Sequence, residues 1–288
     1  MSASEPVRSV MVAGSGLMGR AILLSFANAR FDCTLLTRDP LRHDWLPPGV
    51  QALSEPPDEP PDLVIESILE DLELKRSFFA GLDARFGGHT ILASNTSSLS
   101  LPEIAEGLEH PEMFCGLHYF HPPEAFRYVE LVEAGTHPEA VRRVAEAVRR
   151  TGKEPVHLRR PVVGGVLNRL QHAMAHEAGH LLDEGVVDVA TIDLLITEAL
   201  GPRMAVTGLL RQKDLSGLDI FATVQRQLVP HLHHGAEPAR YFLERADAGD
   251  LGVKTGRGLY DWRGVDVPEY RRRAADKLAR ILAIATEP

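Results

Sequence analysis

Cysteine is scarce in this chain, with two residues in 288, and this excludes a fold held together by several disulfides. Cys33 and Cys115 lie in apolar runs, so we interpret them as reduced core thiols. The sequence also lacks an apolar run long enough to cross a membrane. Its first residues have no cationic start and no long apolar segment, so no signal peptide is visible. We therefore expect a cytoplasmic protein with no membrane partner.

Positive charge is also in deficit. The chain has 31 lysine and arginine residues against 40 aspartate and glutamate residues, which gives a net charge of −9 at pH 7. This balance argues against non-specific binding of nucleic acid. A hydrophobic content of 44% and a charged content of 25% are typical of a globular protein. The length suits one large domain or two ordinary ones, and we expect a small molecule as partner.

The most informative segment lies near the N-terminus. The apolar run Val10–Ala13 predicts a buried strand, and Arg20–Ala29 predicts a helix. Between them the glycines Gly14, Gly16 and Gly19 have the spacing G-x-G-x-x-G. A strand, a glycine turn and a helix in this order indicate a site for a nicotinamide or flavin dinucleotide.

Each glycine of this turn has an expected purpose. Gly14 permits the tight turn, Gly16 leaves the backbone open to a pyrophosphate, and Gly19 lets the helix pack close to the strand. The start of the helix then offers unpaired N–H groups and the positive end of its dipole to the phosphates. We therefore count Leu17 and Met18 among the cofactor-binding positions as well.

Strand-like and helix-like segments alternate through the first half of the chain, which predicts a parallel, doubly wound sheet. The predicted strands are Ser9–Ala13, Cys33–Thr37, Leu63–Ser67, Thr90–Ala93, Met113–His118 and Tyr128–Val132. The predicted helices are Gly19–Ala29, Leu72–Phe86, Leu101–Leu108 and Glu139–Thr151. The proline cluster at 47–61 cannot form a helix, and we interpret it as a surface loop that replaces a helical crossover.

The second half has a different pattern. Beyond a boundary near Arg159–Gly165, long helical segments dominate. They are Val166–Glu184, Val189–Leu200, Leu218–Val229, Tyr241–Ala248 and Val267–Ala285. The predicted fold is therefore a Rossmann-type α/β domain, residues 1–160, that binds the dinucleotide. It is followed by an all-helical domain, residues 161–288, for substrate binding and dimerisation, with cofactor and substrate in the cleft between them.

Further segments agree with one family over almost the whole chain. They are Leu63–Lys75, Ala93–Leu99, Gly116–Val132, Gly165–Leu170 and Lys254–Tyr260. Together with the glycine turn, the chain resembles the L-3-hydroxyacyl-CoA dehydrogenase family, including its lambda-crystallin-like members that oxidise small hydroxy acids. The resemblance implies an NAD-dependent oxidoreductase and, for its acyl-CoA members, a place in fatty acid metabolism.

Four residues are predicted to carry the reaction, in roles that the resemblance implies and the chemistry supports. Oxidation of a carbinol requires removal of the hydroxyl proton, and a neutral histidine can accept it near pH 7. His118 ends a predicted strand, at the edge where such folds bind ligands. Glu130 ends the next strand and can accept a hydrogen bond from the far ring nitrogen of His118. Ser97 and Asn168 offer donors to the substrate oxygen.

Five further residues are assigned to the nucleotide. Glu70 and Lys75 match family positions that contact its ribose and nicotinamide side, and Asn95 is placed with them. The family usually has an acid at the end of the second strand to hold the adenosine ribose, but this chain has Thr37 followed by Arg38. A hydroxyl and a guanidinium suit a 2′-phosphate that an acid would repel. The family prior favours NAD, and NADP is an open alternative.

The substrate class is less constrained. Acyl-CoA members carry a helical hairpin before the strand at Leu63 that helps to hold CoA, whereas this chain has the shorter proline-rich loop there. A 3-hydroxyacyl thioester is the first prediction, and a free hydroxy acid such as a sugar acid or a carnitine-like compound is the alternative. Apolar helical segments, Val189–Ile196 and Ile281–Ala285, predict a homodimer.

Two other classes stay open. His176–His180 fits H-E-x-x-H, with Glu198 as a third candidate ligand, so a zinc hydrolase is conceivable. Gly179 weakens the helix that would present the histidines, and the family match explains the segment without metal, so we predict no metal site. His172, His176 and His180 share a helix face and are candidates for lining the substrate cleft. A non-catalytic nucleotide-binding protein is the other class.

Overall fold

The computed structural model describes residues 5–285. Its contacts divide the chain into two compact units, with the division between Arg169 and Leu170. The first unit contains a mostly parallel sheet flanked by helices and the second is helical, so the predicted fold class is confirmed. The division falls inside the helix that begins at Gly165.

Within its described residues, the first unit contains eight strands and four complete helices. The strands are β1 (Ser9–Ala13), β2 (Asp32–Leu36), β3 (Gln51–Leu53), β4 (Leu63–Glu66), β5 (Ile91–Ser94), β6 (Phe114–Tyr119), β7 (Tyr128–Glu133) and β8 (Glu154–Leu158). The helices are α1 (Leu17–Asn28), α2 (Leu72–Phe86), α3 (Leu101–Ile104) and α4 (Pro138–Arg150), and α5 (Gly165–Asp183) begins in this unit.

The strands form one sheet in the order β3-β2-β1-β4-β5-β6-β7-β8. The chain order reverses between β1 and β4, which is the switch point where doubly wound sheets bind ligands. Every neighbouring pair is parallel except β6 and β7, which are antiparallel, so the prediction of a parallel sheet is wrong at this one pair. The physical reason is the short connection at 120–127, because a parallel crossover needs a dozen residues or more.

Two strands of the sheet, β3 and β8, are not predicted from the sequence. β3 has three residues, Gln51–Leu53, within the proline-rich loop, and it pairs parallel to β2. β8 contains Pro155, but it is the last strand of the sheet, where proline is tolerated. No helix forms in the described segment between β2 and β4, so the segment predicted as a loop has a short strand and no helical crossover.

The core of this unit lies on both faces of the sheet. Alternating residues of β1 face opposite sides: Val10 and Val12 pack with α1 and α4, whereas Met11 and Ala13 pack with α2 and α3. Both faces are covered, so the strands are almost continuously apolar. This packing fixes the positions of the strand ends that carry the polar residues described below.

The described part of the second unit contains the rest of α5 and six further α-helices. They are α6 (Val189–Leu195), α7 (Gly201–Thr207), α8 (Leu209–Ser216), α9 (Leu218–Leu228), α10 (Arg240–Asp247) and α11 (Val267–Ala285). A π-helical turn at Ile196–Leu200 joins α6 to α7. The carboxylate of Asp183 caps α10 by accepting from the N–H groups of Arg240 (2.9 Å) and Tyr241 (2.8 Å). None of the helices described in either unit has the length and apolar character needed to span a membrane.

Candidate active site

The turn after β1 needs glycine at two positions for packing. Gly14 has a φ of +107°, and a Cβ atom there would overlap the carbonyl oxygen of Ser67 after β4. A Cβ atom on Gly19 would overlap the carbonyl oxygen of Gly14, so α1 packs against the turn itself. In the described chain no atom lies within 4 Å of a Cβ atom built on Gly16. The protein itself therefore leaves Gly16 open, as a phosphate-binding backbone requires.

Helix α1 begins two residues earlier than predicted, at Leu17. Gly16 is its N-cap, and none of the described side chains caps it. The N–H group of Arg20 donates to the carbonyl oxygen of Gly16 (2.9 Å), which closes the first helical turn. The N–H groups of Leu17 and Met18 precede that bond and have no place in the helical ladder, so they are donors for an anion.

A cavity of about 1020 Å³ opens beside this turn. Its walls include the Gly14–Gly16 backbone, Thr37 and Arg38 after β2, and the apolar side chains of Ile68 and Phe78. A cavity of this size is large enough for a sizeable ligand, and its apolar walls suit a flat base. Because it lies at the switch point of the sheet and beside free N–H groups, the residues present fit a dinucleotide.

The end of β2 carries hydroxyl and imidazole groups in place of an acid. The hydroxyl of Thr37 donates to Ser15 Oγ (3.2 Å), and His43 Nε2 lies 3.3 Å from Thr37 Oγ1. Asp39 forms an ion pair with Arg42 (2.9 Å). Its carboxylate is therefore engaged by a neighbour, and it is not part of the cavity wall that Arg38 lines.

A buried ion pair joins β4 to α2. The ammonium of Lys75 is 1% exposed, and it contacts Glu66 Oε1 and, at 3.2 Å, Glu70 Oε2. Glu66 Oε2 also accepts from the hydroxyl of Ser94 on β5 (2.7 Å). Lys75 is enclosed by two carboxylates, and its ion pair with Glu70 holds that side chain in place. Its ammonium is almost fully buried.

Glu70 organises the turn after β5. Its Oε1 accepts from the hydroxyl of Thr96 (2.7 Å) and from the N–H groups of Ser97 and Ser98 (3.0 Å each). Burial alone would raise the pKa of Glu70, but the Thr96 hydroxyl and the charge of Lys75 outweigh it and lower the pKa to about 2. The carboxylate is therefore charged at neutral pH. The backbone N–H group of Ser97 is thus hydrogen-bonded directly to the Glu70 carboxylate.

Asn95 connects the ends of three strands. Its Oδ1 accepts from the N–H group of Tyr119 on β6 (2.9 Å), and its Nδ2 lies 3.4 Å from Ser67 Oγ after β4. Both groups of the amide are thus used within the protein, and the residue fixes the edge of the sheet on which the polar side chains stand.

His118 and Glu130 form a buried dyad. They are direct cross-strand partners in the antiparallel β6–β7 pair, and His118 Nδ1 lies 3.0 Å from Glu130 Oε2. The two residues are 8% and 3% exposed. Glu130 is predicted at the end of its strand, but it is the third residue of β7, which reaches the same edge because β7 is antiparallel to β6.

The ionic state of Glu130 follows from its contacts. Burial alone would raise its pKa, but the hydrogen bond with His118 and those from the N–H groups of Leu167 (3.1 Å) and Val166 (2.9 Å) lower it overall. A carboxylate can only accept, so Nδ1 of His118 carries the proton. The second ring nitrogen, Nε2, is then left as the proton acceptor.

Ser97 and Asn168 are brought to the same place. Asn168 Nδ2 donates to the carbonyl oxygen of Ser97 (3.4 Å), and Ser97, His118 and Glu130 line one small cavity. All four predicted catalytic residues therefore lie together in the first unit. The arrangement holds a base, a carboxylate that orients it, and a hydroxyl and an amide that can donate to an oxygen.

The histidines of α5 have other partners. His176 Nε2 lies 2.8 Å from the carbonyl oxygen of Gly235, and the ring of His180 stacks on that of His233 with centroids 4.4 Å apart. Glu177 accepts from the N–H group of His233 (2.8 Å). Within residues 5–285, no three histidine, cysteine or acidic side chains are placed to hold a metal ion. The H-E-x-x-H segment therefore anchors a neighbouring loop.

Several important residues were missed by the sequence analysis. Glu66 pairs with Lys75, Ser98 helps to hold Glu70, and the backbone at Gly165–Leu167 holds Glu130. Glu66 had a visible signal, because it is a lone acid that ends an otherwise apolar strand. The backbone donors had none, because any residue other than proline supplies an N–H group.

Comparison with known proteins agrees with this geometry. The model of the 3-hydroxyacyl-CoA dehydrogenase NAD binding domain matches residues 59–161, and the model of the C-terminal domain of the same family matches residues 164–262. The fold and site define an NAD-dependent oxidoreductase that acts on a CH–OH group. The chain belongs to the 3-hydroxyacyl-CoA dehydrogenase family.

Individual relatives differ in the substrates that their names give. The chain is 30% identical to 5-formyl-3-hydroxy-2-methylpyridine 4-carboxylate 5-dehydrogenase of Mesorhizobium japonicum, over 77% of this chain and 72% of that one. It is 35% identical to the lambda-crystallin homolog of Bos taurus, over 72% and 74%. It is 34% identical to 3-hydroxyadipyl-CoA dehydrogenase of Escherichia coli, over 70% of this chain but 42% of that one.

Solved structures are similar as well, and the first of them matches nearly the full length. It is described as a 5-formyl-3-hydroxy-2-methylpyridine 4-carboxylic acid 5-dehydrogenase and NAD+-dependent dismutase. The TM-score is 0.88 at 25% identity, and the match covers 97% of this chain and 98% of that one. The (S)-3-hydroxybutyryl-CoA dehydrogenase of Ralstonia eutropha matches with a TM-score of 0.70, also at 25% identity, over 89% and 99%.

Proposed function

We propose that the chain oxidises a hydroxyl group to a carbonyl group with His118 as the base. The observation that carries this is the buried His118–Glu130 pair beside Ser97 and Asn168. His118 Nε2 accepts the hydroxyl proton, while Glu130 keeps the ring oriented and supports its positive charge. Ser97 and Asn168 donate to the reacting oxygen. Bound NAD supplies the hydride acceptor.

For the substrate, we propose a small free hydroxy acid in preference to an acyl thioester. Two observations support this. The described segment between β2 and β4 has no helix, although that is where acyl-CoA members carry the hairpin that helps to hold CoA. The relative with the TM-score of 0.88 is named for a free pyridine carboxylate. The 3-hydroxyacyl thioester remains the second candidate, because 3-hydroxyadipyl-CoA dehydrogenase is among the relatives.

The experiment is a substrate panel run with NAD and with NADP. It compares 3-hydroxybutyryl-CoA with free 3-hydroxybutyrate, a sugar acid, carnitine and a hydroxymethyl pyridine carboxylate, by following absorbance of the reduced cofactor. Higher kcat/KM for a free acid supports the first candidate, and higher kcat/KM for the thioester overturns it. Nucleotide binding without turnover of any of these would instead favour a non-catalytic binding protein.

We further propose that the cofactor site discriminates weakly against NADP. Arg38 lines the cavity and Thr37 replaces the acid that would repel a 2′-phosphate. A charge-assisted contact contributes roughly 1.5–3 kcal/mol, which is about a tenfold to hundredfold effect on affinity. We expect Arg38→Ala to lower kcat/KM for NADP by about that factor and to affect NAD much less.

The matched control is Arg42→Ala, because Arg42 is exposed, pairs with Asp39 and does not line the cavity. The ratio of kcat/KM for the two cofactors is measured for both variants. Glu55 lines the same cavity, so the prediction concerns the change in this ratio and not which cofactor is preferred. A ratio that Arg38→Ala leaves unchanged would show that Arg38 does not contact the phosphate.

We also propose a homodimer in which the second copy covers the helical unit. Helices α6 to α9 and α11 bury none of their described residues, and Val206, Leu210 and Leu215 are 81%, 75% and 74% exposed. Large apolar side chains exposed in this number are typical of an interface. Light scattering at micromolar concentration should give twice 31.6 kDa.

Two variants test whether the dimer interface lies on the helical unit. Leu210→Glu should shift the mass towards the monomer, whereas Leu41→Glu should not, because Leu41 lies in the first unit and is 94% exposed. A wild-type chain that is folded and monomeric at these concentrations would refute the dimer.

A further inference from the structure

Glu130 uses its two carboxylate oxygens for different partners. Oε2 faces His118 Nδ1 at 3.0 Å, whereas Oε1 accepts from the N–H groups of Val166 (2.9 Å) and Leu167 (3.1 Å). These two N–H groups belong to the first turn of α5, where helical N–H groups have no partner within the helix. The carboxylate is therefore fixed from two directions, by the catalytic histidine and by the start of a helix.

The residue that makes this contact possible is Gly165. It has a φ of +60°, and a Cβ atom built on it would overlap Glu130 Oε2. The lack of a side chain at this position thus gives the carboxylate the space that it occupies. Gly164 also has a positive φ, of +83°, but the nearest atom to its Cβ would be Arg169 Cγ at 3.6 Å, an ordinary contact.

We propose that Gly165 and the first turn of α5 are positioning elements for the dyad. They set where the Glu130 carboxylate lies and keep it charged, and through it they fix the proton on Nδ1 of His118. This inference rests on the proposed function, because it requires that the dyad perform the proton transfer. The overlap of a Cβ atom on Gly165 is with Glu130 Oε2, so we expect its effect to pass through Glu130.

Substitution of Gly165 is predicted to change the pKa of Glu130 in one direction. The two N–H donors of α5 help to lower the pKa of Glu130, so displacement of the carboxylate from them raises it. A carboxyl group with a lowered pKa stays charged above that pKa and becomes protonated only as the pH falls through it. The pKa of the Glu130 carboxyl group, followed by NMR titration, should therefore be higher when these donors are lost.

The test compares Gly165→Ala with Gly164→Ala, since both place alanine at a positive φ but only the first overlaps Glu130. We expect Gly165→Ala to lower kcat by about 100-fold more than Gly164→Ala, the scale of a small misplacement of a reacting group. The Kd for NADH, measured by its fluorescence, should stay within about twofold of the wild type in both variants, because the glycine turn is untouched.

A spectroscopic readout removes the dependence on substrate. The proton on His118 Nδ1 should give a downfield NMR signal that is present in the wild type and in Gly164→Ala. The same signal should be absent in Gly165→Ala and in Glu130→Gln. If Gly165→Ala does not fold, Leu167→Pro removes one N–H donor from the first turn of α5 and should also raise the pKa of Glu130.

The outcomes separate the two proposals. If Glu130→Gln keeps the wild-type kcat, the dyad itself is refuted. If Glu130→Gln is slow but Gly165→Ala matches Gly164→Ala in kcat, in the pKa of Glu130 and in the NMR signal, the dyad stands and the positioning role of Gly165 is overturned. If Gly165 acts through Glu130, its effect on kcat disappears in the Glu130→Gln background, as expected of coupled residues.

Discussion

Replacement of His118 by alanine should lower kcat by about 10²- to 10⁴-fold, the usual contribution of a general base. The hydroxyl proton then has no acceptor at the position of Nε2. The Kd for NADH should hardly change, because the glycine turn and the large cavity are formed by other residues. Glu130→Gln should also slow the reaction strongly, since it keeps the shape of the side chain but loses the charge that supports an imidazolium.

The measurement is steady-state kinetics with the best substrate of the panel, together with fluorescence titration of NADH. His89→Ala is a suitable control, because His89 is an exposed histidine in the same unit. If both His118→Ala and Glu130→Gln keep near-normal rates, the assignment of the dyad is wrong. A loss of NADH binding in parallel with kcat would indicate a structural role for His118.

The second large effect concerns stability. Lys75→Met should lower the free energy of unfolding by about 3–5 kcal/mol, because it leaves the buried carboxylate of Glu66 without its counter-charge. Arg76→Met, one residue along, is the control. Arg76 forms partly exposed ion pairs with Glu73 and Glu106, and its loss should cost less than about 1 kcal/mol.

Urea unfolding measures both variants. The double variant Glu66→Gln/Lys75→Met should regain part of the loss, because it removes the uncompensated charge. In addition, Lys75 helps to lower the pKa of Glu70 to about 2, so the stability that the wild type loses as the pH falls from about 4.5 towards 2 should be smaller in Lys75→Met. Equal stability of Lys75→Met and Arg76→Met would contradict the interpretation that Lys75 neutralises the buried carboxylate of Glu66.

Much of the fold could be predicted from local patterns. Helix α2 has the predicted bounds, Leu72–Phe86, because the Asp71 carboxylate caps its start by accepting from the N–H group of Leu74 (2.9 Å) and Gly87 ends it with a φ of +56°. The short strand β3 could not be predicted, because three residues between prolines give no periodicity. Strand direction was also missed at β7, although the short connection at 120–127 favoured a hairpin.

The candidate site shows a similar limit. The resemblance could place His118, Glu130, Ser97 and Asn168, since their side chains carry the chemistry, and the structure brings the four together. It also assigned Lys75 to the nucleotide, which stays a prediction, but it did not show that this ammonium is enclosed between two carboxylates. Burial of a long charged side chain depends on contacts between distant segments, and a linear pattern does not report them.

The hairpin that joins β6 to β7 constrains how this site can change in evolution. His118 and Glu130 face each other across one ladder, so their separation is fixed by strand register. Insertion or deletion of one residue inside either strand would move one of the two side chains to the opposite face of the sheet. Changes in length are therefore expected to accumulate in the connection at 120–127, where they leave the register intact. Relatives with the same chemistry should differ there in length while the two strands stay aligned without gaps.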